Sequence, residues 1–204
     1  MDILPSIPTL QEYHKFVDKT SFCGIQNGKN IWSNIFIALP ALYLMYRQQK
    51  ISFLSINILL LAISSAYYHV NPSNKTIFMD MIFVISINTI ILSFFVDKEI
   101  GIAVYIIGIL SVIYWKLYDN NLPYEFLKIA IPVYGLYCLY GTKESNYIVP
   151  LLGLTILLRL SEYNDKAIYK ATNKLISGHT LKHILGGLEI YIIICVLQKL
   201  NKVE

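Results

Sequence analysis

The sequence predicts an all-α membrane protein, a bundle of seven transmembrane helices. Three observations carry that prediction. Of 204 residues, 55% are hydrophobic and only 15% charged, where a soluble domain carries about 25% charged residues. Mean hydropathy is +0.53, and the apolar residues gather in seven runs, each of a length near the ~20 residues that cross a bilayer. Most runs are joined by short connections, so consecutive helices must lie antiparallel and side by side.

Taken in order, residues 1–30 form a polar, amphipathic amino-terminal segment. Tyr13, Phe16 and Val17 are interleaved there with Glu12, His14, Lys15, Asp18 and Lys19, and Gly24 and Gly28 end the pattern. Such a segment lies along a membrane surface. It lacks an apolar core behind basic residues, so it does not read as a signal peptide and targeting falls to the first span. Residues 31–204 form the membrane domain, with spans at 31–47, 51–69, 77–96, 100–118, 124–140, 147–163 and 179–198. Pro40, Pro132 and Pro150 fall inside spans, where kinks are tolerated. Gln48-Gln49-Lys50, Asn71-Pro72-Ser73-Asn74-Lys75, Asp97-Lys98-Glu99 and Gly141-Thr142-Lys143-Glu144 are tight connections. The only long one is 164–176.

The net charge of +4 is small and scattered, and no basic tract suggests nucleic acid. Cys23, Cys138 and Cys195 have neither a disulfide-framework spacing nor a C-x-x-C, and read as small apolar side chains.

Antiparallel spans fix which ends share a membrane face. The second span ends, and the third and seventh begin, on the face that holds the amino terminus. Those ends carry His69, Asp80 and the pair His179 and His183. Four residues apart on a helix, His179 and His183 stand one turn above each other on one face. Ser65 lies one turn deeper than His69 on the same helical face. Ionisable groups at membrane depth are costly and mark function. Three neutral imidazoles with an open fourth position form the ligand set of a catalytic zinc, so the bundle is expected to hold a zinc site at one membrane face.

Ser65-x-x-x-His69, Asp80 eleven residues later, and His179-x-x-x-His183 opening the last span resemble the alkaline ceramidases. These belong to a superfamily of seven-helix membrane hydrolases that includes the progestin/adiponectin receptors. Tyr13-His14-x-Phe16, Gly24-Ile25-x-Asn27, Ser33-Asn34, Tyr67-Tyr68-His69-x-x-Pro72 and the stretch Ser177 to His183 are similar to blocks of its bacterial branch. The resemblance implies Zn2+ on His69, His179 and His183, Asp80 as the acid that activates water, and Ser65 assisting at the carbonyl. It further implies hydrolysis of the amide of ceramide or another N-acyl membrane lipid, and a multi-pass protein of a bacterial inner membrane.

The chemistry is coherent by itself. Zinc polarises a carbonyl and lowers the pKa of its water towards about 7. Asp80 can shuttle the proton as general base and then acid, or it can orient a ligand histidine by accepting its N–H. Ser65 can donate to a developing oxyanion, or bond back to the carbonyl four residues earlier. Glu189, about 120° around the helix from the histidine face, pairs with Lys128 or a tyrosine hydroxyl, or lines the substrate cavity. Arg159, Glu162 and Asp165 read as an interfacial ion-pair cluster, Tyr67 and Tyr68 as an aromatic belt, and His14 as a surface residue. Asn34 lines the site or makes an interhelical hydrogen bond.

A two-chain lipid stays in the bilayer, because exposing it costs about 0.8 kcal/mol per methylene. A cavity should therefore run from the histidines towards the membrane core and open sideways to lipid. Ile184 and Gly187 are candidate lining positions, with Gly186-Gly187 leaving room for an acyl chain or, alternatively, only packing helices closely. The animal and fungal ceramidases resembled here bind calcium through amino-terminal acids. Glu12 and Asp18 alternate here with Lys15 and Lys19, too few oxygens for that ion, so no such calcium site is expected. A surplus of Lys and Arg on the amino-terminal side favours that side facing inward. Two other readings are a seven-helix receptor or scaffold with a structural metal, and a hydrolase of an ester-linked lipid.

Overall fold

The computed structural model describes residues 14–203, and its architecture is all-α apart from one small hairpin. The chain enters as an extended strap, then pairs β1 (Ser21–Phe22) with β2 (Ile25–Gln26) in an antiparallel ribbon. Cys23 and Gly24 both take positive φ, 53° and 79°, the conformation of a two-residue turn whose twist matches its strands. Short helix α1 (Gly28–Trp32) follows, then α2 (Ile35–Gln48), α3 (Phe53–Val70), α4 (Asn74–Ser93), α5 (Lys98–Tyr118) and α6 (Leu122–Tyr140). A 3₁₀ turn (Ser145–Tyr147) leads into α7 (Ile148–Tyr163), short α8 (Asp165–Ala171) and the closing helix α9 (Gly178–Lys199).

Each expected apolar run coincides with a helix, except that the first is divided between α1 and α2. Ser33 and Asn34 join the two pieces through bonds such as Asn34 N–H to the Ile31 carbonyl and Phe36 N–H to the Ser33 carbonyl. This tighter turn sets Ser33 and Asn30 at the end of α9 where its histidines lie. Four helices, α3, α4, α5 and α9, are long and apolar enough to cross a membrane. The remaining three fall short by simple physics. At about 1.5 Å per residue, the 14 residues of α2 and the 16 of α7 do not match a hydrocarbon core about 30 Å thick. Helix α6 has 19 residues but includes Glu125, Lys128 and four tyrosines.

Three helix starts, those of α3, α4 and α9, are set by hydroxyl caps. Ser52 with Ser55 and Ser73 with Thr76 form reciprocal capping boxes at α3 and α4, each satisfying amides that a helix start leaves unpaired. Helices that follow one another pack together, and α9 closes the bundle by packing on both α2 and α7. One core, with Ala41, Leu44, Ile58, Ile194 and Leu197, joins α2, α3, α4 and α9. A second, with Tyr68, Met81, Ile85, Val112, Trp115 and Ile131, joins α3 to α6 and reaches Phe16 of the strap. The outer surface is apolar too: Ile63, Ile106, Ile107, Val133 and Val149 are exposed, and only 28% of the apolar window of α5 is buried. Apolar side chains facing both inward and outward mark a helix surrounded by lipid, and we read the protein as a membrane protein.

Candidate metal centre and cavity

Helices α3 and α9 bring His69, His179 and His183 together. Their ligand-capable nitrogens lie within 4.8 Å of one another, and the cluster could hold a metal ion. Nε2 of His69 faces Nε2 of His183 at 3.4 Å, and the three rings meet edge to face with centroids 4.8–5.0 Å apart. Three imidazoles whose ligand-capable nitrogens gather at one point form a donor set that suits a cation.

The backbone that holds them is fixed from several directions. The Ser177 hydroxyl accepts the Thr180 N–H at 3.0 Å and the Asp165 carboxylate accepts the His179 N–H at 2.7 Å, so the first turn of α9 is capped twice. Gly178 sits so close to the end of α7 that an added methyl would overlap the Ser161 carbonyl. Asn30 Oδ1 accepts from the hydroxyls of Thr180 at 2.7 Å and Ser177 at 3.3 Å, tying α1 to α9. Ser33 then meets His183. Its hydroxyl lies 2.9 Å from the Asn30 carbonyl and 2.7 Å from Nδ1 of His183. Given to Asn30, the serine proton leaves the hydroxyl oxygen to accept Nδ1–H, the tautomer whose Nε2 lone pair is directed at the cluster.

The strap covers the centre on its polar side. The Phe16 ring lies 4.6 Å from that of His69 and 5.3 Å from that of His179. Two anchors hold it there. His14 bonds the Tyr68 hydroxyl at 3.0 Å and Asn74 at 2.8 Å, so this half-buried residue, expected at the surface, also ties the strap to α3 and α4. Asp18, fully buried, accepts the Thr20 amide at 3.0 Å and the Tyr169 hydroxyl at 3.3 Å. Glu12, the other acid considered for calcium, lies outside the described residues.

A cavity of about 280 Å³ opens from this centre into the bundle. His179, His183, Asp80, Ser65 and Tyr68 line its polar end; Leu139, Leu151, Val196 and Leu197 line the far end. Asp80 and Ser65 thus share one space with two of the three histidines, while His69 stands behind them, wholly buried. Oδ1 of Asp80 is a buried oxygen with no hydrogen-bond partner among the described residues. The carboxyl lies within electrostatic reach of Lys182, Glu162 and Lys128.

Several expectations are corrected by this geometry. Tyr68 is buried at 3% exposure and only Tyr67 faces outward, so the aromatic belt there is one residue wide. Gly187 does not line the cavity: a side chain there would collide with the Phe36 carbonyl, so this glycine packs α9 on α2. Gly186 lines the cavity instead, and Ile184 does not. Asn34 bonds back to the Asn30 carbonyl at 2.8 Å within its own turn, not across helices. Glu189 does line the cavity and takes its bond from the Thr155 hydroxyl, not from Lys128 or a tyrosine. Arg159 and Glu162 pair at 3.4 Å, but Asp165 is replaced in that cluster by Lys182, 2.8 Å from Glu162. Sequence reasoning missed Lys182 and Ser33 as site residues; the signal for Lys182 was its place inside the His179-x-x-x-His183 motif.

No family model, curated protein or solved structure matches this chain.

Proposed function

We propose that the protein is an integral-membrane, zinc-dependent hydrolase that cleaves the amide of ceramide-like N-acyl lipids, giving a free fatty acid and a long-chain amine. The observation that carries this reading is the junction of two features: three buried imidazoles facing one point, and an apolar cavity that starts there and runs into the bundle. A structural metal would need only the first. Zinc, the ion suited to a compact three-histidine set with an open position, would supply polarisation of the amide carbonyl and a water of lowered pKa.

The chain's own groups divide the remaining work. Ser33 keeps His183 in the ligating tautomer. Asp80, with an unpartnered oxygen in the cavity, takes a proton from water and returns it to the departing nitrogen. Water's hydroxyl ends on the acyl carbon as the C–N bond breaks, and the amine leaves with the proton. Ser65, one turn from His69 on α3, donates to the oxygen of the tetrahedral carbon. Phe16 excludes bulk water from the polar end, and the apolar far end receives the acyl chain.

Seven passes across the membrane, with α2, α6 and α7 completing the bundle beside the four longer helices, complete this picture. The test is lipid mass spectrometry after the pure protein, loaded with zinc, is incubated with ceramides and other N-acyl lipids. Free fatty acid released by the wild type and not by His179→Ala is the expected result. Binding without release would support the receptor reading instead, and release from esters alone would move the activity to ester-linked lipids.

A further inference from the structure

Four lysines gather on the outside of the bundle around the short helix α8. Lys166 and Lys170 stand one turn apart on that helix, and Lys174 follows four residues later in the turn that ends it. Residues four apart on a helix share a face. Lys166, Lys170 and Lys174 are exposed, and with Tyr169 and Asn173 they line one surface hollow of about 350 Å³. Lys29 of α1 reaches the same place, where it donates to the Lys174 carbonyl at 3.1 Å. The turn sets Lys174 there with Asn173 and Lys174 both at positive φ, 51° and 66°. Non-glycine residues held in that costly conformation concentrate where a chain meets a ligand.

None of the four ammonium groups forms an ion pair among the described residues. The nearby carboxylates are turned to other partners. Asp165 accepts the His179 N–H at 2.7 Å, and Asp18, fully buried, accepts from the Tyr169 hydroxyl at 3.3 Å and the Thr20 amide at 3.0 Å. Position adds a second, independent indication. Helix α8 joins the end of α7 to the start of α9, so it lies along the membrane face on which His179 opens α9. Tyr163 just before it is 89% exposed and Leu175 just after it 73% exposed. Exposed apolar and aromatic side chains flanking a lysine face belong to a segment in the headgroup layer, with stems towards the acyl chains and ammonium groups at the phosphates.

We propose that the lysine face of α8 seats the headgroup phosphates of anionic phospholipids in the leaflet on the metal side. Charge complementarity carries the assignment, since each lysine beside an anionic leaflet is attracted to it. Asp165 links α8 to the first turn of α9, so a lipid held there lies against the segment that seats His179 and His183. Neither the metal nor the amide chemistry enters this inference.

The purified full chain in neutral detergent is titrated with phosphatidylglycerol and with phosphatidylcholine of the same acyl chains. Binding is read by native mass spectrometry and by the shift in Tm. The account expects the anionic lipid to bind more tightly, by about fivefold for each lysine and about a hundredfold for three. Salt at about 0.5 M should remove most of that preference. The triple variant Lys166→Gln, Lys170→Gln, Lys174→Gln should erase it, and the corresponding triple arginine variant should keep it. Lys170→Gln alone, expected to lose about fivefold, keeps the test open if the triple variant does not fold. Lys50→Gln, Lys143→Gln and Lys202→Gln together, on the opposite membrane face, should leave the preference intact. Equal binding of the two lipids, a preference undiminished in the α8 glutamine variants, or an equal loss in the opposite-face variant would overturn the proposal. An equal rise in Tm with inorganic phosphate alone would overturn it too, because the face would then serve a free anion and not a lipid.

Discussion

Ser33→Ala isolates the hydrogen bond to one candidate metal ligand, His183, without touching the imidazole itself. The Ser33 hydroxyl is buried, 2.7 Å from Nδ1 of His183 and 2.9 Å from the Asn30 carbonyl to which it donates. Alanine removes the acceptor for Nδ1–H and frees the imidazole to adopt the tautomer that protonates Nε2. Loss of such a partner behind a metal-ligating histidine costs about 10–100-fold in metal affinity, or about 1.4–2.7 kcal/mol of binding free energy. The fold itself loses about 0.5–1.5 kcal/mol, the net worth of one hydrogen bond. The two effects separate experimentally. Zinc affinity is measured by competition with a calibrated chelator, and Tm is read with and without metal. The variant should fold and its Tm without metal should move little, while the gain in Tm on adding limiting zinc should shrink. A zinc Kd equal to that of the wild type would refute the proposed tautomer control and with it the assignment of Ser33 to the centre.

Two further substitutions probe the walls and the base. Gly187→Ala should destabilise by about 1–3 kcal/mol, as overpacking does, because its methyl meets the Phe36 carbonyl; Gly186→Ala, with only Leu158 Cδ1 at 3.5 Å, should be near neutral in thermal unfolding. Equal losses at both positions would contradict the packing described for α9. Asp80→Asn should retain zinc by elemental analysis and lose about 10²–10⁴-fold in turnover, the usual worth of general-base assistance; loss of metal instead would make Asp80 an orienting or ligating group.

Much of the site could be read before any coordinates because it depends on topology more than on detail. Short connections decide which helix ends share a membrane face, and that parity alone groups His69, Asp80, His179 and His183. The cavity was expected on the reading that the substrate is a two-chain lipid, which would be met inside the bilayer. What the sequence hid depends on angles. Gly187 lies four residues past His183, where α9 packs on α2, whereas His183, Lys182, Gly186, Glu189 and Ile193 border the cavity. A rotation of about 100° per residue separates Gly186 from Gly187, and nothing local says which one meets open space. The break at Ser33 and Asn34 has no proline or glycine to announce it. Tyr68 reads as an interfacial tyrosine until the strap is seen to cover it with Phe16 and His14.

The central claim is that His69, His179 and His183 together hold one catalytic metal. Metal analysis of the purified full chain, with each histidine changed singly to alanine, tests it most directly. The account predicts close to one zinc per wild-type chain and a strong loss in each of the three variants. A wild-type protein that takes up no zinc when it is supplied, or a His183→Ala variant that keeps a full equivalent, would contradict it.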